Sequence, residues 1–169
     1  EVAFFETVNM ATLWKVPLVL VCENNGYAIS VPTAKAHSVP AIAEYALGFG
    51  LPGESVDGND PIAVYAAVGE ALQRARGGQG PSLVECRTIR WERHSAISSG
   101  AYENEEEVQK WKTVDPIPRF EKLLIERGAE EAGLEEIRQR AKASNDEALK
   151  FAIESPIPAA ETVGDFVFS

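Results

Sequence analysis

The sequence predicts an α/β domain with a doubly wound, parallel sheet. Three observations carry that expectation. Residues 16–22, Val-Pro-Leu-Val-Leu-Val-Cys, form an unbroken apolar run. Such a run is the pattern of a strand covered on both faces in the middle of a parallel sheet. Helical and strand-like patterns alternate along residues 1–90, the rhythm of parallel strands joined by crossover helices. The apolar run stops at Glu23-Asn24-Asn25-Gly26, a polar tetrad at the strand's carboxyl end, where open α/β sheets bind their ligands.

The elements follow in order. Phe4, Val8 and Ala11 recur at helical spacing, so residues 1–15 are expected to form a helix that ends before Pro17. That pattern starts with no cap and no preceding strand, and the ancestral domain is expected to have begun upstream of Glu1. Residues 17–22 make the first strand and residues 23–40 a loop. Residues 41–49 form a helix stopped by Gly50. A short strand at residues 54–56 leads to Asp57-Gly58-Asn59-Asp60-Pro61, a tight turn in which Asp60 caps a helix with Pro61 at its first position. This helix runs to Arg76 with Ile62, Tyr65, Ala66, Val68, Gly69 and Leu72 on its inward stripe, and Gly77-Gly78 ends it. Residues 82–90 alternate in polarity and are assigned to a strand nearer the sheet edge.

Residues 91–102 are polar and poor in helix formers, as expected of a mobile active-site loop. Residues 103–107 open a helix with acids in its first turn, and residues 118–127 and 134–154 are two further amphipathic helices. The tail from Ser155, with Pro156 and Pro158, is expected to be extended and to dock on a neighbour. The domain expectation is an α/β domain over residues 1–102 and a helical extension over 103–169 packed on it.

Composition narrows the function classes. The chain has 169 residues, enough for a real core, and a formal charge of −10. That charge argues against nucleic acid or an anionic membrane as partner, since both need a basic footprint. No run is long enough for a membrane span, no signal-peptide pattern is present, and a cytoplasmic setting is expected. Cys22 and Cys86 fall in strand interiors and read as small buried hydrophobes instead of a disulfide. There is no zinc-type Cys/His spacing, no nucleophile elbow, no Gly-x-Gly-x-x-Gly and no P-loop.

Two constellations carry candidate chemistry. Asn24-Asn25-Gly26 reads either as turn chemistry, since these residues tolerate left-handed backbone, or as oxygen donors for a hard cation shared with a phosphate. Arg90 and His94, four residues apart beyond a strand's end, are either diphosphate donors or exposed loop residues. His37 and Ser38 match no motif and read as ordinary surface residues. Trp14, Trp91 and Trp111 read as core or interface anchors.

The segment Phe4-Phe5-Glu6-Thr7-Val8-Asn9-Met10-Ala11-Thr12-Leu13-Trp14-Lys15-Val16-Pro17, running into Cys22-Glu23-Asn24-Asn25-Gly26-Tyr27, resembles one family. It is similar to the closing half of the thiamine diphosphate motif in the α subunit of 2-oxo acid dehydrogenase E1 components of the pyruvate, branched-chain and acetoin types. The resemblance continues through residues 56–60, Thr88-Ile89-Arg90, His94-Ser95, Asp115-Pro116-Ile117 and residues 155–158. It implies a thiamine diphosphate-binding α/β fold, truncated at its N-terminus, with a helical C-terminal extension. It implies Mg²⁺ held by Asn25 and the Tyr27 carbonyl, and a cofactor diphosphate near Arg90 and His94, the latter also the candidate catalytic residue. It implies oxidative decarboxylation of a 2-oxo acid, with an E1 β subunit and a lipoyl-E2 as partners. Ser95 matches a serine phosphorylated in regulated mitochondrial members.

The sequence departs from the family at three places. Val2 and Arg93 stand where glycine is usual, and Ala96-Ile97-Ser98-Ser99 replaces an acidic segment. The opening Gly-Asp-Gly would precede Glu1. The alternative is therefore a truncated, catalytically inactive domain that serves as a binding or oligomerisation module, for which a homodimer would cover the exposed edge.

Overall fold

The computed structural model describes residues 2–95, 97, 105–165 and 167. The boundary expected at residues 102 and 103, and half of the loop expected at 91–102, lie outside them. The chain divides into two units, Glu1–Phe120 and Glu121–Ser169.

The first unit opens with α1 (Val2–Leu13). Lys15 takes a left-handed conformation (φ 51°) and the Val16 amide closes on the Ala11 carbonyl at 2.9 Å, so the helix stops before Pro17 as expected. β1 (Val19–Asn24) follows, then a small antiparallel hairpin of β2 (Tyr27–Ala28) and β3 (Val31–Pro32), and a single helical turn, α2 (Thr33–Ala36). A 3₁₀ helix, Ile42–Phe49, ends at left-handed Gly50 (φ 73°). β4 (Gly53–Asp57), α3 (Pro61–Arg76) and β5 (Ser82–Arg87) complete the sheet layer. α4 (Glu105–Lys112) and α5 (Pro116–Glu126) come next. In the second unit α6 (Glu131–Glu154) and a 3₁₀ turn (Ala160–Gly164) carry mostly exposed side chains, and Arg138 pairs with Glu121 and Glu135.

The three long strands are parallel in the order β1-β5-β4. One face packs Leu20, Cys22 and Leu83 against Phe4 and Val8 of α1 and against Ala46 and Phe49 of the 3₁₀ helix. The other packs Val19, Val56, Val84 and Cys86 against Val64, Ala67, Val68 and Ala71 of α3. Helices on both faces make the sheet doubly wound, as the sequence predicts. Cys22 and Cys86 are both reduced, and burial is the main cause that raises their thiol pKa values. Among the described residues no helix is long and apolar enough to cross a membrane.

Three expectations need correction. β5, not β1, is the central strand: its first five residues are buried, whereas Val21 of β1 is 52% exposed. Alternating polarity over residues 82–90 is the pattern of a strand nearer the sheet edge, yet Glu85 is fully buried. On α3 the inward stripe is Val64, Ala67, Val68, Ala71 and Ala75, while Tyr65 is 80% exposed. Alanines four apart let the helix approach the sheet closely, which turns its larger side chains outward. Residues 23–40 are not an unstructured loop, since the hairpin and α2 lie within them.

Candidate functional site

Register brings three strand ends into one row: Asn24 pairs with Arg87, and Arg87 pairs with Asp57. Beyond Asn24 the chain makes two overlapping turns. The Asn24 Oδ1 accepts from the Gly26 amide at 3.1 Å, and the Asn25 Oδ1 accepts from the Tyr27 amide at 3.2 Å. Gly26 supplies the left-handed step between them (φ 84°). The turn reading of these residues is therefore correct, and it also shapes the site.

The hairpin orients the Tyr27 carbonyl. Thr33 donates its amide to the Gly26 carbonyl at 2.8 Å, and Tyr27 stands opposite Pro32, which has no N–H. In an antiparallel ladder bonded and unbonded pairs alternate, so the Tyr27 amide and carbonyl both point away from β3. The amide already meets Asn25 Oδ1 on that side. A carboxamide oxygen and a peptide oxygen thus face one side of the hairpin, a neutral donor pair suited to a hard cation. Among the described residues no cluster of three His, Cys, Asp or Glu could hold a metal, so this pair is an open set that needs further oxygens.

Two clefts meet at the turn. One, of about 640 Å³, is lined by Asn24, Tyr27, Thr33, His37, Thr88 and Trp111. The other, of about 350 Å³, is lined by Phe4, Phe5, Asn25, Tyr27, His37 and Tyr45. His37 belongs to both clefts, and its Nδ1 lies 3.3 Å from the Tyr45 hydroxyl. Sequence reasoning passed over it because no motif surrounds it.

Arg90 reaches the same hairpin. Its Nη2 donates to the Ile29 carbonyl at 2.8 Å, and its guanidinium lies 5.9 Å from the Tyr27 ring centroid. Ile29 holds a left-handed φ of 57°, which is costly for a β-branched residue, so Arg90 fastens a strained turn. His94 and Ser95 are exposed beyond β5, and neither lines the two clefts.

Glu85 is the residue that sequence reasoning missed. It stands at 0% exposure beneath the turn. Its Oε1 accepts from Asn24 Nδ2 at 2.7 Å and its Oε2 from the Ala43 amide at 3.1 Å. Burial pushes its pKa up. Hydrogen bonds from Asn24 and from the Ala43 and Ile42 amides, with a smaller contribution from the nearby Ser55, outweigh burial and hold it below the usual carboxylate value.

The β4 end is fastened separately. Asp57 Oδ1 accepts from the Asn59 amide, and the Asp60 side chain caps α3 at Ile62 and Ala63, as the motif predicts. Arg119 of α5 donates to both Asp57 (2.8 Å) and Asp60 (2.7 Å). Gly58 is required here, because a Cβ would lie 2.8 Å from the Arg87 carbonyl oxygen. Burial raises the Asp57 pKa, but the Arg119 hydrogen bond, the Asn59 amide and the charges of Arg119 and Arg87 bring it below the usual value. A carboxylate with a depressed native pKa stabilises the fold above its unfolded-state pKa and loses that contribution as pH falls through the native value. Stability should therefore decline on acidification below the ordinary carboxylate range. Asp57→Asn should give a shallower acid limb in urea melts taken across pH, and an unchanged limb would contradict this assignment.

Comparison with known proteins follows the same residues. The family model described as "Dehydrogenase E1 component" matches residues 1–161. The chain is 40% identical over 98% of its length to the pyruvate dehydrogenase E1 component subunit alpha-3, chloroplastic, of Oryza sativa subsp. japonica, covering 39% of that protein. It is 39% identical over 98% of its length to the 2-oxoisovalerate dehydrogenase subunit alpha of Bacillus subtilis, covering 51% of it. Against the alpha subunit of the acetoin:2,6-dichlorophenolindophenol oxidoreductase of the same organism the values are 38%, 92% and 46%. The chain spans about half the length, or less, of these curated relatives.

Proposed function

This chain belongs to the dehydrogenase E1 component family, and from that premise we propose that it forms part of an E1 α subunit. In this reading the whole protein carries out oxidative decarboxylation of a 2-oxo acid and passes the acyl group to a lipoyl-E2. The observation that carries the reading is the Asn25 carboxamide and Tyr27 carbonyl facing one side of a hairpin at the end of a parallel strand. Those two oxygens would hold Mg²⁺, which would supply positive charge for the diphosphate of thiamine diphosphate, and further oxygen ligands would complete the site.

The cofactor, when bound, supplies the carbon nucleophile and the electron sink that decarboxylation needs. The chain's own residues bind and orient. Arg90 keeps the Tyr27 hairpin closed and brings a permanent positive charge towards the phosphate oxygens. His94, by the family resemblance of residues 88–95, would donate to the diphosphate. An E1 β subunit completes the cofactor site.

The test uses the E1 protein that carries these residues, assembled with a β-type partner. It should release CO₂ from pyruvate or 3-methyl-2-oxobutanoate only when both thiamine diphosphate and Mg²⁺ are supplied. Turnover independent of either would contradict the reading. A second reading, a non-catalytic association module, is favoured by the exposure of Val21 (52%), Leu47 (75%) and Tyr65 (80%). It predicts stable association without any cofactor binding.

A further inference from the structure

We propose that Glu85 is the positioning residue of the metal-holding turn, acting through Asn24. This inference rests on the reading above, because it assigns a task to a residue that touches neither cofactor nor metal. Glu85 comes from the central strand, its side chain has no exposure, and its two oxygens meet two different elements. Oε1 takes the Asn24 amide group and Oε2 takes the Ala43 N–H at the start of the 3₁₀ helix.

A carboxamide can be turned over by exchanging its oxygen and nitrogen, and its environment decides which way it points. Glu85 decides it for Asn24. With Nδ2 fastened to the carboxylate, Oδ1 must face the other way, and there it accepts from the Gly26 amide (3.1 Å) and the Thr33 hydroxyl (3.2 Å). These bonds set the left-handed step at Gly26 and the hairpin closure at Thr33. Together they fix the path of the chain through the two donor oxygens at residues 25 and 27. Glu85 thereby sets the direction in which Asn25 and Tyr27 face. Were the Asn24 amide reversed, its NH₂ would confront the Gly26 N–H, and the turn would open.

The polarity of the site makes this testable. Asn24 Nδ2 and the amides of Ala43 and Ile42 all direct donors at Glu85, so the position demands two acceptor oxygens. Glu85→Gln is nearly isosteric but puts an NH₂ against one of those donors. Adding Asn24→Asp reverses the pair. The carboxamide introduced at position 85 would then donate to one oxygen of the carboxylate introduced at position 24 and accept from the Ala43 N–H. The other oxygen of that new carboxylate keeps Gly26 and Thr33.

The measurements are the dissociation constant of Mg²⁺–thiamine diphosphate and the cofactor-free amide exchange of Gly26 and Tyr27, both in the assembled protein. Glu85→Gln should weaken cofactor binding by about 10–100-fold, the range typical for losing an outer-shell partner. It should also speed exchange at both amides. Asn24→Asp combined with Glu85→Gln should restore both. Val84→Ala, which thins the core on the opposite face, controls for general loss of stability and should leave both readouts near the parent values.

Parent-like binding and exchange in Glu85→Gln would overturn the inference while leaving the site reading intact, provided Asn25→Ala still loses cofactor. A double variant no better than the single would overturn it as well. Parent-like cofactor binding in Asn25→Ala would instead overturn the site reading on which the inference rests.

Discussion

Gly53→Ala is expected to destabilise the first unit by about 3 kcal/mol or more, the upper range for overpacking against parts that cannot yield. Gly53 begins β4, and a Cβ there would collide with the Ala43 carbonyl oxygen and lie 2.8 Å from the Ala46 Cβ. The first of these is backbone and the second a methyl group fixed to its helix, so no side-chain rotation relieves the clash. The 3₁₀ helix would have to lift from the sheet. That movement would take the Ala43 amide from Glu85 and open the cluster of Val8, Ala46, Leu51 and Leu83. A loss of this size is a large fraction of an ordinary domain's stability. Urea denaturation reads it as a lowered midpoint with little change in slope. Gly48→Ala is the internal control, since a Cβ there meets nothing within 4 Å. Equal midpoints for the two variants would show that the helix does not press on β4 as described.

Asn25→Ala should separate stability from binding in the opposite sense. Asn25 is half-buried, and its side chain accepts a bond from the Tyr27 amide. Removing it costs the fold about 1 kcal/mol, the usual net worth of one hydrogen bond. The cofactor site would lose one of the two oxygens this chain offers. The affinity for Mg²⁺–thiamine diphosphate should fall by at least about 100-fold, the upper end of the effect of losing only an outer-shell group. Isothermal titration of the assembled protein measures the second effect, and a urea melt of the same sample measures the first. A variant that binds normally would place the metal elsewhere.

Legibility in the sequence followed how local the physics is. The cap at Asp60-Pro61, the left-handed stop at Gly50 and the strand before Asn24-Asn25 depend on neighbours in the chain, and all three appear in the structure. The hairpin at residues 27–32 was hidden because strands of two residues are too short to show a period. The face of α3 was hidden because Ile62, Tyr65, Ala66, Gly69 and Leu72 also recur at helical spacing, and only the close helix-to-sheet packing selects Ala67, Ala71 and Ala75. Glu85 was hidden for a sharper reason. A carboxylate in an alternating strand reads as solvent-facing, and only the fold reveals Asn24 and Ala43, 61 and 42 residues away, as its partners. The candidate metal donors were legible as residue types. Their common direction was not, because it depends on Pro32 standing opposite Tyr27.

The central claim is that Asn25 and Tyr27 present their oxygens to one divalent cation at the end of β1. Anomalous diffraction from crystals of the assembled protein grown with Mn²⁺ and thiamine diphosphate tests it directly. The account predicts a metal peak roughly 2.0–2.3 Å from both Asn25 Oδ1 and the Tyr27 carbonyl oxygen, with diphosphate oxygens among the remaining octahedral ligands. A peak bound elsewhere, with the Asn25 oxygen still turned only to the Tyr27 amide, would contradict it.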